Sequence, residues 1–131
     1  MDNRQPSPTE LPHDHEAEAD LLGLILKREN IMSEIQPILP TEECFLTLSH
    51  RDIYRTMLSL HNQTLPVNIT TVNTGLARPV EEGWRSLLVE LQERASVVSN
   101  PVKIAEIIEE IKIALKIIQA SFRRLRPLQY R

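Results

Sequence analysis

Apolar residues along this chain recur at helical spacing in about six short runs, then in one long one. From Asp14, the residues Ala17, Leu21, Leu24 and Ile25 follow one another at steps of three and four, which sets them on one face of a helix reaching Arg28. Glu16 and Glu18 fall in its first turn and Lys27 and Arg28 in its last, as the helix dipole favours. Asn30 is placed to cap a short second helix carrying Ile31, Met32 and Ile35, which Pro37 and Pro40 stop. Thr41-Glu42-Glu43 begins another helical turn. Ser49-His50-Arg51-Asp52 has the form of a capping box, with Ile53, Met57 and Leu60 behind it at helical spacing. Leu65-Pro66-Val67 must be extended, after which Asn68 or Thr70 caps a helix ending near Gly75. Beyond a loop containing Pro79, the residues Val80, Trp84, Leu87, Leu88 and Leu91 trace the next apolar stripe. No segment alternates like a strand, so the expected class is all-α.

The last segment differs from the rest. Asn100-Pro101 supplies a cap followed by proline at the first helical position, and no further glycine or proline occurs until Pro127. That allows about 25 helical residues, roughly 38 Å. Ile104, Ile108, Ile111, Leu115, Ile118, Phe122 and Leu125 alternate steps of four and three, a heptad seam. Ile107, Ile113, Ala114 and Ile117 widen or leave that seam, and a helix apolar over more than one face must bury more than one. The expectation is a compact head of about six short helices (12–99), preceded by a flexible arm (1–11) and followed by the long helix (100–126) and a basic tail (127–131). Part of the long helix is free to pair with a second copy, through Ile104, Ile108, Ile111, Leu115, Ile118 and Phe122.

Composition narrows the classes. At 131 residues there is room for one core, and 41% hydrophobic with 25% charged residues is ordinary for a globular chain. No apolar run approaches the roughly 20 residues of a membrane span, and the N-terminus lacks a signal-type apolar stretch, so a cytoplasmic protein without membrane contact is expected. Net charge is −3, which argues against strong binding to nucleic acid by the whole chain. Arg123, Arg124 and Arg126 have two readings, cations completing a helix end or phosphate contacts. Only Phe122 and Tyr130 stand near them to stack on bases, and Phe122 belongs to the seam, which favours the helix end.

Candidate chemistry is thin. His13 and His15 flank Asp14, yet no second histidine or cysteine cluster completes a zinc set, so Asp14 reads as a helix cap. His50 and His61 have no nucleophile partner in sequence and read as helix-face or packing residues. Glu16 and Glu18, two apart on a helix, point in different directions and cannot flank one reacting group. Cys44 lacks a cationic neighbour in sequence and reads as a small core residue. Trp84 is first a packing residue; its amphipathic ring also suits an interface, with Leu87 and Ile117 as further candidates for partner contact. No catalytic residue, metal or cofactor is assigned.

Three blocks carry a resemblance. Pro12-His13-Asp14-His15-Glu16-Ala17-Glu18 leads on to Leu22-Gly23; His50-Arg51-Asp52-Ile53-Tyr54 runs to Met57; Pro66-Val67-Asn68-Ile69-Thr70-Thr71-Val72 follows. In this order and spacing they resemble the N-terminal domain of DnaB-type replicative helicases, whose signatures are P-H-x-x-E-A-E-x-x-x-L-G, H-x-x-I-Y-x-x-M and P-V-D-x-x-T-V. With the long helix the likeness spans Pro12 to about Ile118. It departs at Gly83-Trp84, where the family usually carries a glycine pair.

That family hydrolyses nucleotide in a second, larger domain built on a P-loop. The three glycines here, Gly23, Gly75 and Gly83, are not near any G-K-S or G-K-T sequence, so this chain alone is not expected to be an enzyme. The resemblance implies an interaction and oligomerisation domain in DNA replication. It would pair with itself or with replicative helicase subunits and dock a DnaG-type primase. Two other readings stand beside it: a stand-alone phage- or plasmid-type regulator mimicking that domain, and a small helical DNA-binding protein.

Overall fold

A computed structural model describes residues 15–28, 30–76, 83–95 and 100–129, with side chains as far as Phe122. Its elements are α1 (His15–Lys27), α2 (Met32–Ile35), a 3-10 turn (Glu42–Cys44), α3 (Leu48–Asn62), α4 (Ile69–Gly75), α5 (Trp84–Arg94) and α6 (Pro101–Gln129). No strand occurs among the described residues, so the all-α expectation holds. The arm before Pro12, Asp14 as a cap, and Pro79 and Val80 lie outside the described residues.

α1 is the strut of the head. The spacing suggested one buried face, but Glu18, Ala19 and every residue from Leu21 to Leu26 are buried. The reason is that α3, α5 and α6 all pack on it, so little of its circumference past the first turn meets water. Gly23 permits the closest of these contacts. A Cβ there would fall into the Leu91 carbonyl oxygen of α5 and stand 2.8 Å from the Ala95 Cβ. The C-terminal ends of α1 and α5 then cap one another, with Lys27 Nζ donating to the Ala95 carbonyl at 2.7 Å and Gln92 Nε2 to the Leu26 carbonyl at 3.0 Å.

Several start signals act as read. Thr41 caps the 3-10 turn through the Glu43 amide, and Asn68 and Thr71 form a reciprocal capping box on α4. Asn100 Oδ1 accepts from the amides of Val102 and Lys103. Two signals differ. Asn30 does not cap α2, which begins after Ile31; its carbonyl instead accepts from Ser33 Oγ. Ser49 is not the cap of α3, which already begins at Leu48 behind Thr47, whose carbonyl accepts from the Arg51 amide. α6 also continues through Pro127 to Gln129, beyond the expected end at 126. A proline in the last turn removes a single backbone bond, which does not end the helix.

α3 closes through a Schellman turn: the Leu65 amide donates to the Leu60 carbonyl at 2.9 Å and the Thr64 amide to His61 at 3.0 Å. The left-handed position falls on Thr64, at φ 62°, where a β-branched side chain is strained. Thr64→Gly is therefore expected to stabilise the protein by about 1 kcal/mol, read as a higher urea midpoint at unchanged slope. An unchanged or lower midpoint would mean that the threonine side chain contributes a contact outweighing its strain.

Candidate functional site

The first two motif blocks meet inside the head. Glu18 of α1 and His50 of α3 are each 2% exposed, with His50 Nδ1 3.0 Å from Glu18 Oε1. The same carboxylate accepts from the Leu46 amide at 2.7 Å and the Thr47 amide at 3.3 Å. His15, exposed at the start of α1, stacks on His50 with ring centroids 4.6 Å apart and sets its Nδ1 3.0 Å from Thr47 Oγ1. One turn along α3, Tyr54 donates its hydroxyl to the Leu39 carbonyl at 2.7 Å and packs on Phe45. These motif residues tie α1 to α3 and to the chain between them. Burial acts to raise the Glu18 pKa, but hydrogen bonds from His50, Leu46 and Thr47 together outweigh it and hold the carboxyl below its ordinary 4.5.

At the junction the His50 ring meets the Glu18 carboxylate and the His15 ring. Among the described residues no group of three or more His, Cys, Asp or Glu is arranged to hold a metal. Cys44 is buried, its thiol donating to the Thr41 carbonyl at 2.9 Å, and burial pushes its pKa up. Burial likewise pushes the Tyr54 hydroxyl upward, so both groups stay neutral. Sequence spacing put Glu18 on a helix start. It gave no sign that the carboxylate crosses to a residue 32 positions away.

The surface that stands out is α6. Its seam divides: Ile108 and Leu115 are 3% and 7% exposed, buried against the head, and Ala105 is fully buried beside them. Ile108 is thus part of the core cluster, whereas Leu115, though buried, lies outside that cluster. Ile104, Ile111 and Ile118 are half-buried, whereas Phe122 is 63% exposed. Ile107, Ile113 and Ile117, which widen or leave the seam, are also large apolar groups in water. At 100° per residue, Ile107, Ile111, Ala114 and Ile118 form a second stripe, centred about 120° round the helix from Ala105 and Ile108, with Ile111 on its near edge. α6 therefore has one apolar face inside the molecule and another outside it.

The other expected contact residues fall apart from one another. Trp84 and Leu87 are half-buried and pack on the core at the start of α5, so they are not a free patch. Gly83 before them takes a left-handed conformation at φ 99°, which a single glycine suffices to supply. Arg123, Arg124 and Arg126 lie on α6, and their side chains are outside the described residues. Among the described residues no helix is long and apolar enough to cross a membrane.

Residues 10–110 match the family model of the DnaB-like helicase N-terminal domain. The chain is 33% identical over 133 aligned positions to the replicative DNA helicase DnaB of Buchnera aphidicola subsp. Baizongia pistaciae, covering 93% of this chain and 28% of that protein. It is 29% identical to the replicative DNA helicase DnaC of Bacillus subtilis, over 84% of this chain and 25% of that one. Against the DnaB helicase of a Nostoc species it is 30% identical, over 84% of this chain and 13% of the relative. It thus spans at most 28% of these relatives' own lengths. The crystal structure of the N-terminal domain of DnaB helicase from Mycobacterium tuberculosis superposes with a TM-score of 0.79 over 89% of this chain and 86% of that one, at 22% identity, and so shares the fold. With two motif blocks meeting at one buried junction, an all-α head carrying a long helix, and a family match over most of its length, the chain belongs to the DnaB-like helicase N-terminal domain family.

Proposed function

We propose that this chain is the self-associating and partner-docking domain of a replicative DNA helicase, and that it performs no motor chemistry itself. The observation that carries the reading is the outer face of α6, where Ile107, Ile113, Ile117 and Phe122 are 46%, 48%, 62% and 63% exposed. Covering one isoleucine contributes roughly 1.5–3 kcal/mol, so a few of them suffice to hold two copies together through α6. A helicase built from several subunits needs such a contact, and a DnaG-type primase is the partner this domain would dock.

The test is sedimentation of the parent chain beside Ile107→Glu with Ile117→Glu. The parent is expected to form a dimer or larger assembly at micromolar concentration, and the double variant to be monomeric with its helical circular dichroism intact. Ile108→Glu is a useful contrast, because it places a charge in the core and should unfold the chain rather than separate copies. A parent that stays monomeric at high concentration would defeat the self-association reading. Titration of the chain with purified primase tests docking separately.

A further inference from the structure

We infer that the groove between the 3-10 turn, the start of α3 and the middle of α6 docks an acidic, leucine-bearing peptide segment of another protein. The groove encloses about 350 Å³, and its lining includes Glu43, Leu46, Arg51, Lys112, Leu115 and Lys116. Three cations therefore face one carboxylate, in a chain whose net charge is −3. Lys112 and Lys116 are four residues apart on α6 and so stand side by side, an arrangement in which like charges destabilise a helix. Among the described residues no ion pair is seen at either lysine, whereas Arg55 on α3 pairs with both Glu42 and Asp52. Arg51 is set in place at the rim by its Nε, which donates to the Phe45 carbonyl at 3.0 Å.

The floor between these cations is apolar. Leu115 is 7% exposed and Leu46 half-buried. One turn before Arg51, Leu48 is 71% exposed, the most exposed large apolar residue among those described. An anion with apolar side chains next to its charges would satisfy all of these groups together. Two carboxylates about 6 Å apart match the spacing of the lysines, and successive turns of a helical peptide present them so.

A nucleic acid fits less well. No aromatic ring lines the groove to stack on a base, and Glu43 in its lining, with Glu106, Glu109 and Glu110 on α6, would repel an unbroken row of phosphates. A peptide can place its carboxylates at the lysines alone. Ile107 and Ile117, the residues changed to test self-association, lie on average roughly 140° round α6 from Lys112, Leu115 and Lys116, so the two tests address different sides of the helix.

The probe is a short fluorescein-labelled peptide of alternating leucine and glutamate pairs, titrated against the intact 15N-labelled chain. Saturable binding is expected, with amide shifts centred on Leu46, Arg51, Lys112 and Lys116. Lys112→Gln with Lys116→Gln should weaken it about tenfold, and Lys112→Glu with Lys116→Glu should abolish it, both with unchanged circular dichroism. A peptide of leucine and serine should not bind. Shifts that appear elsewhere, affinity unaltered by the glutamine pair, or preferential binding of a single-stranded oligothymidine at the same amides would each overturn the proposal.

Discussion

Glu18→Ala is expected to destabilise the fold by about 3–5 kcal/mol, a large share of the roughly 5–15 kcal/mol that holds a domain together. The carboxylate serves the buried His50 ring and the amides of Leu46 and Thr47 simultaneously. Its removal leaves a buried imidazole and two backbone donors without an acceptor, and each such group costs about 1–3 kcal/mol. Urea unfolding measures the loss. A shift below about 1 kcal/mol would show that water replaces the carboxylate and that the junction is wetter than its 2% exposure implies. The pH dependence has a definite sign. Because the folded carboxyl lies below its ordinary 4.5, its contribution is complete above that value and is lost as pH falls through the folded pKa. The parent should therefore lose stability on acidification below about pH 4.5 more steeply than Glu18→Gln, which has no such proton to take up.

Gly23→Ala is expected to destabilise by about 2–4 kcal/mol, although alanine is the better helix former by about 1 kcal/mol. The competing terms can be compared directly. The added methyl would overlap the Leu91 carbonyl oxygen, a backbone group fixed within α5, and press on the Ala95 Cβ, so α1 and α5 must separate. Separation also stretches the Lys27–Ala95 and Gln92–Leu26 hydrogen bonds, each contributing about 1 kcal/mol. Thermal unfolding of the parent and variant decides the matter. A higher melting temperature for the variant would mean that the two helices slide apart at little cost.

Most of the helices could be read because their signals are local. Asn68, Asn100 and Thr41 cap the turn that follows them, and a cap acts across three residues whatever surrounds it. The error at Ser49 has the opposite origin. Its motif was adequate, but the chain just before α3 is fixed by Glu18 through the Leu46 and Thr47 amides, 28 or more residues away, and spacing within one helix cannot reveal a carboxylate arriving from another. The buried circumference of α1 was hidden for the same reason. On α6 the heptad seam was legible, whereas its division between core and surface was not, since the steps of four and three are the same whether the covering face belongs to this chain or to another. The exposure of Ile107 and Ile117 against the burial of Ile108 depends on where α1 lies, which no local pattern encodes.

The position of α1 at the centre has a consequence for synthesis. The chain leaves the ribosome N-terminus first, so α1 is complete long before the helices that cover it. Lys27 waits for a carbonyl 68 residues further on, and Ile108 is later still. At about 5–20 residues per second, roughly 4–16 s pass between the synthesis of Leu26 and that of Ile108. A helix this apolar is a natural client for chaperones that hold nascent chains. Its burial must then be among the late events of folding, because closing loops of this length delays the contacts they permit.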